Sequence, residues 1–379
     1  LYLMKIGLYL ISFLGLFIAC STDDYNESTS SDVLIDAPSA SYGDLKAAID
    51  TKLIKNPNDV SLLVNRANLA LEHYDYPRAF SDAAKAFRLD SNFLDSRLVY
   101  ALAMINQGQR SVADIRESQR HFQFVVSKDA NNTKAMVGLA NTYALQQDFE
   151  LAREWIEKTL IVDPKFFDAH VLKGSMYKVL CGALKGDKES EKLSKIYLDS
   201  AIQAYSRVSQ YYPDRPEIYL ELGILFQQSN NEICLDYYYS AVQLAPENID
   251  YKYALAYAYG LFDEERKAMA IYLEMQEQDS LFCEAFCQMG QIYQKKFGEI
   301  DSALNMYRTT IEIDENHIDA YVNMGVIYEE QKDYYNAIRS YARALAIEPD
   351  NRGPYMPLSD FSEIQGLARE YADGLKNKL

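Results

Sequence analysis

The sequence predicts an all-helical solenoid built from about eight stacked helix pairs. Three observations carry that expectation. Small residues recur along the chain at Ala67, Ala101, Ala140, Gly174, Gly223, Ala256, Gly290 and Gly325, with steps of 34, 39, 34, 49, 33, 34 and 35 residues. A second series, Ala79, Ser118, Ala152, Ala201, Cys234, Ala268, Ala303 and Ala337, follows in the same phase. Only 16 Gly and 10 Pro occur in 379 residues, too few for the turns of a β-rich fold of this length. A fixed period of this size marks a chain in which each unit buries its apolar face against its neighbours.

The last unit shows the pattern most fully. In Ile318 to Pro349, Tyr321, Met324, Gly325 and Tyr328 fall at helical spacings of three, one and three. Ala337, Tyr341 and Ala344 follow on a second helix, at spacings of four and three, and Pro349 ends it. Each set forms one apolar stripe, so the two helices face each other. Gly325 allows the second helix to approach closely at Ala337. An aromatic residue stands three places after the small one in six units, from Tyr143 through Tyr177, Phe226, Tyr259 and Tyr293 to Tyr328. Pro closes the units at Pro164, Pro213, Pro246 and Pro349, whereas Ser91, Ala130, Ser280 and Glu315 replace it elsewhere and are expected to loosen those joints.

With these residues in place, the chain resembles the tetratricopeptide repeat (TPR) family, whose unit of 34 residues has small residues, aromatics and a final Pro at these positions. The resemblance covers about residues 59–350. It implies a right-handed superhelix with the first helix of every pair on the concave side. Residues 43–58 read as a leading helix and 351–379 as a C-terminal capping helix. The packing positions are Gly174, Gly223, Gly290 and Gly325 on first helices and Ala152, Ala268 and Ala337 on second helices. Two units are longer than the rest, the second by about five residues and the fourth by about 15. The fourth unit's excess lies at Cys181–Lys195, either a solvated extension of the helix hairpin or a contact element beside a binding face.

The N-terminal segment has another character. Lys5 precedes the uncharged apolar run Ile6 to Ile18, which ends at Ala19 and Cys20. Thirteen residues fall short of the roughly 20 that cross a bilayer as a helix, and the layout is that of a secretory signal. Phe17-Ile18-Ala19-Cys20 resembles the lipobox of bacterial lipoproteins, with Phe17 where Leu is usual. That resemblance implies removal of residues 1–19 and lipidation of Cys20, with palmitate among the attached chains. Residues 20–42 are rich in Ser, Asp, Thr and Asn and read as a flexible tether. Asp23 and Asp24 resemble the acidic export signal of surface lipoproteins in Bacteroidota, and a plain tether explains them equally. The expected location is the outer membrane of a bacterial envelope, on the periplasmic or the surface-facing side.

Charge narrows the partners. A formal net charge of −17 opposes binding to nucleic-acid phosphates and to anionic lipid heads. With Ile318 counted as position 1 of the last unit, positions 5 and 9 of the first helices should floor the concave groove, and position 2 gives an acidic edge from Asp95, Asp168, Glu217, Asp250, Glu284 and Asp319. The floor lacks the Lys and Arg with which some TPR domains hold a chaperone's terminal carboxylate. It better suits a peptide segment with apolar and some basic side chains. Asn68, Asn141, Tyr253, Tyr257 and Gln291 are the expected groove contacts, with packing between adjacent repeats as the alternative for the two tyrosines.

No cofactor, catalytic residue or metal site is expected. The chain contains no P-loop, G-x-S-x-G or G-x-G-x-x-G. Cys283 and Cys287 share one helix face, and that spacing could hold a metal, but no His lies near them in sequence. They are expected to be small core residues. The expected function is non-enzymatic, a membrane-anchored scaffold that binds a protein or peptide partner. The alternative is a surface lipoprotein that captures a glycan or another nutrient, for which the single Trp155 offers little stacking surface.

Overall fold

A computed structural model describes residues 41–184 and 188–347. The lipobox and Cys20, the signal segment, nearly all of the tether, Pro349 and the capping helix at 351–379 lie outside the described residues. Among the described residues all regular structure is helical, and no helix is long and apolar enough to cross a membrane.

The chain forms two compact units that divide between Asp214 and Arg215. The N-terminal unit opens with α1 (Tyr42–Lys55), capped by Ser41 and Asp44 in a capping box. Four helix pairs follow: α2 (Val60–Glu72) with α3 (Tyr76–Leu89), α4 (Leu94–Ile105) with α5 (Val112–Lys128), α6 (Thr133–Leu145) with α7 (Phe149–Val162), and α8 (Phe167–Ala183) with α9 (Lys188–Tyr211). The C-terminal unit contains four more: α10 (Pro216–Gln228) with α11 (Cys234–Leu244), α12 (Ile249–Leu261) with α13 (Glu265–Gln278), α14 (Cys283–Ile292) with α15 (Ile300–Ile313), and α16 (Ile318–Glu330) with α17 (Tyr334–Ile347). The all-helical solenoid of eight pairs that the spacing predicts is the fold observed.

The turn inside a pair uses one conformation repeatedly. Tyr74, Gln147, Asn230, Asp263 and Lys332 all stand seven residues after the small residue of their unit, and all have φ between 51° and 64°. That left-handed region is unfavourable for residues with a Cβ, so the packed helices must impose it. The seventh pair differs. Its α14 ends in a π-helical turn over Tyr293–Phe297, and the left-handed residue comes one place later, at Gly298 with φ 69°. The π turn absorbs the extra residue behind the 35-residue step, a usual outcome of a single insertion into a helix.

Between pairs the structure refines an expectation. Joints without Pro use the same turn as a joint with it. Asp90, Asp129, Asp279 and Asp314 each accept a backbone N–H two residues on, at 2.9 to 3.2 Å, as Asp163 does beside Pro164. The aspartate turn shapes the joint whether or not Pro follows.

A second correction concerns the glycines. A Cβ built on Gly325 would fall 2.6 Å from the Tyr341 ring, so the glycine accommodates that ring, one turn beyond Ala337. Gly174, Gly223 and Gly290 likewise underlie Tyr205, Tyr238 and Tyr307, with corresponding distances of 2.6, 2.5 and 2.6 Å. The four rings are almost wholly buried and satisfy their hydroxyls on the facing helix. Tyr238 donates to Gln227 (2.7 Å), Tyr307 to Gln294 (2.9 Å) and Tyr341 to Glu329 (2.9 Å), while Tyr205 pairs with Ser175 (2.9 Å). Ala152, Ala268 and Ala337 are buried at the second-helix positions.

The long fourth unit keeps its helical character into the insertion. Residues Cys181 to Ala183 extend α8, and Lys188 to Lys195 form the first turns of α9. Ser194 Oγ lies 3.2 Å from Cys181 Sγ, and Tyr177 stacks on Tyr197 with ring centres 5.8 Å apart. The described part of the insertion is thus an extension of the hairpin.

Candidate functional site

First-helix positions 5 and 9 do not form one uniform groove floor. In the N-terminal unit they are mostly closed. Val64, Leu98, Val137 and Val171 are buried at position 5, and Leu102 and Asn141 at position 9. Asn141 is wholly inaccessible, and neither of its amide atoms has a hydrogen-bond partner among the described residues. It therefore offers nothing to a peptide in this conformation, contrary to expectation. Asn68 remains half-buried.

The C-terminal unit presents a more open ladder. Leu220, Tyr257, Gln291, Val322 and Val326 are all half-buried at these positions. Tyr253 departs from the expectation of a contact residue: at 3% exposure it packs between repeats, with its ring centre 5.6 Å from Phe282 and 6.2 Å from Tyr272. Its hydroxyl accepts from Gln288 at 3.3 Å, and it stacks on Tyr257 at 6.2 Å. Tyr257 and Gln291 thus keep accessible surface, while Tyr253 supports Tyr257 from below. Glu217, Glu284 and Asp319 are half-buried at position 2, and Asp250 is exposed. Although Asp250 keeps an open edge, the groups crowding its carboxyl take water from it and, with the charge of Glu284, raise it above its usual range. This shared negative field favours a cationic partner group.

The N-terminal unit has a counterpart of its own. Burial raises Glu72 to about 7 and also raises Asp95, in each case against a lowering pull from Lys134. Trp155 is half-buried and Lys158 lies over its ring at 4.4 Å, so that face is already covered.

One grouping was not legible in local sequence. Cys283, Glu284 and His317 bring a sulfur, a carboxylate oxygen and a ring nitrogen within 4.8 Å of one another. Cys283 and Cys287 are buried free thiols, as their helical spacing suggested. Burial, then the hydrogen bond to Glu284 and the charge on that residue, push the Cys283 thiol up to about 12. The signal available in the sequence was the period itself, because Cys283 begins one first helix, His317 caps the next, and stacked repeats set such helix starts side by side.

Comparison with known proteins fits this architecture. Residues 109–165, 284–317 and 318–351 each match a family described as tetratricopeptide repeat. These segments are tetratricopeptide repeats. TPR arrays are protein-interaction scaffolds. Anaphase-promoting complex subunit CDC16 of Saccharomyces cerevisiae is 22% identical over 232 residues, covering 59% of this chain and 26% of that protein. Protein O-mannosyl-transferase TMTC3 of Homo sapiens is 20% identical over 234 residues, covering 61% of this chain and 22% of that protein. The chain thus spans about a quarter of the length of the curated relatives it matches. The structure of the human IFIT1 dimer with PPP-AAAA is similar at a TM-score of 0.54 and 16% identity, over 82% of this chain and 69% of that one, a likeness of fold.

Proposed function

We propose that this chain is a non-enzymatic interaction scaffold of a bacterial cell envelope, anchored to the outer membrane by lipid on Cys20, that binds a peptide segment of a partner protein. The observation that carries the binding part is the half-buried ladder of the C-terminal unit, with Tyr257, Gln291 and Val326 beside Glu217, Asp250, Glu284 and Asp319. Large amphipathic side chains with accessible edges supply contact area at low entropic cost, and the acidic edge selects for Lys or Arg on the partner. The anchoring part is supported by the apolar run, the small residue and the cysteine in sequence order.

Crosslinking in native membranes, followed by pull-down of the wild type and of Tyr257→Lys/Gln291→Lys, tests the binding part. A partner captured by the wild type and lost by the variant supports the ladder as the site. A partner retained by the variant overturns it. Cys20→Ala tests the anchor: the protein moves to the soluble fraction if lipid on Cys20 holds it, and stays with the membrane if it does not.

A further inference from the structure

We propose that Cys283, Glu284 and His317 form a binding site for a divalent cation of the zinc class, clasping the seventh and eighth helix pairs of the C-terminal unit. The three donors are a thiol, a carboxylate and an imidazole, the set that such borderline cations take. Their ligand atoms lie within 4.8 Å of one another. Ligands on a tetrahedral zinc stand roughly 3 to 4 Å apart, so side-chain shifts of about 1 Å complete the site. Cys283 is 8% exposed, while Glu284 and His317 are half-buried, which leaves the site closed behind and reachable in front.

Cys283 and Glu284 are the first two residues of α14, and the Cys283 thiol donates to the Glu284 carboxylate at 3.2 Å. A bound cation takes the place of that thiol proton and leaves a thiolate beside a carboxylate. Those two negative charges match a dication. Three protein donors leave a fourth position for water or for a donor from a bound partner, the arrangement of an open rather than a closed zinc site. The two sides of the site belong to different repeats, so loading would tie α14 to the start of α16.

His317 gives the proposal a distinctive signature. It is the N-cap of α16, and its Nδ1 accepts the Ala320 N–H at 3.3 Å. A neutral imidazole has one nitrogen lone pair. That lone pair either caps the helix or binds the cation, whichever ring nitrogen the cation takes. Loading therefore releases the Ala320 N–H.

Titration of the full-length protein with Co2+ as the spectroscopic probe, and with Zn2+ in competition, tests the site. The expected result is a thiolate-to-cobalt charge-transfer band that saturates at one equivalent and is displaced by Zn2+. Cys283→Ser abolishes it and Cys181→Ser leaves it intact. His317→Asn also abolishes it while keeping the α16 cap, because Asn is a favoured N-cap. Hydrogen exchange at the Ala320 amide accelerates on Zn2+ addition in the wild type and does not change in His317→Asn. No band in the wild type, or a band that survives in both Cys283→Ser and folded His317→Asn, overturns the proposal.

Discussion

The first three repeats of the N-terminal unit and the four of the C-terminal unit build the same helix pair with different interiors. At corresponding positions of the first and second helices the early repeats carry Ala67 and Ala83, Ala101 and Phe122, and Ala140 and Ile156, all buried, and the Phe122 ring lies over Gly138 of the following repeat. The later repeats carry Ala256 and Tyr272 at these positions and set Tyr238, Tyr307 and Tyr341 over Gly223, Gly290 and Gly325. The early pairs are wholly apolar, and polar ties lie elsewhere, as where Arg66 bridges Asp82 (2.6 Å) and Asp50 (2.5 Å) from α2 to α3 and α1. In three of the later repeats a tyrosine hydroxyl reaches across the pair to Gln227, Gln294 or Glu329 on the first helix. One backbone repeat thus tolerates two packing solutions, aliphatic filling or a tyrosine ring, and at Gly223, Gly290 and Gly325 the ring takes the space of a missing side chain.

Exchanging one solution for the other gives the largest expected effect. Gly290→Ala should destabilise the protein by about 1–3 kcal/mol, because the new methyl would meet the Tyr307 ring. Adding Tyr307→Ile, which copies the Ala140 and Ile156 pair, should recover part of that loss. Denaturant unfolding of the single and double variants measures the coupling, and simple additivity would refute the paired-filling account.

The hydroxyls come next. Tyr238→Phe or Tyr307→Phe should lower stability by about 0.5–1.5 kcal/mol through loss of the bond to Gln227 or Gln294. Phe122 in the second repeat already lacks a hydroxyl, so the comparison predicts no packing penalty from the ring itself. An unchanged midpoint for both variants would show that these bonds add nothing beyond the ring.

The pH response should separate the units by residue. Glu72 has its folded-state value raised to about 7, chiefly by burial. Between its ordinary range near pH 4.5 and pH 7, the unfolded chain loses this proton before the folded one does. This residue's contribution to stability should therefore decline as pH rises through that window and stay flat above it. Glu72→Gln should remove that component, seen as a shallower fall in melting temperature, and an identical pH profile would place the source elsewhere.

The smallest effect concerns a feature both units share. Tyr74 in the N-terminal unit and Lys332 in the C-terminal unit hold left-handed backbone, with φ of 60° and 61°. Tyr74→Gly and Lys332→Gly should each stabilise by a few tenths to about 1 kcal/mol, since Gly relieves strain but gains chain entropy on unfolding. Thermal unfolding checks both, and a loss of stability would mean that the side chains contribute more than the strain they carry.

The sequence by itself determined the helix pairs, their register and the positions that must be small, because those depend on local periodicity repeated eight times. It marked Gly290 and Gly325 as close-approach points, and it placed Cys283 and Cys287 in the core from their shared helix face. What it did not determine were relations between units. Which ring fills the space over a glycine, whether Tyr253 or Tyr257 keeps an open edge, and how Asn141 is sealed all depend on the neighbouring repeat as well as on the residue's own helix. The meeting of Cys283 and Glu284 with His317 is of the same kind. Spacing along one helix shows which residues share a face, but only stacking fixes what that face meets, because the lateral contacts join residues about one period apart in the chain.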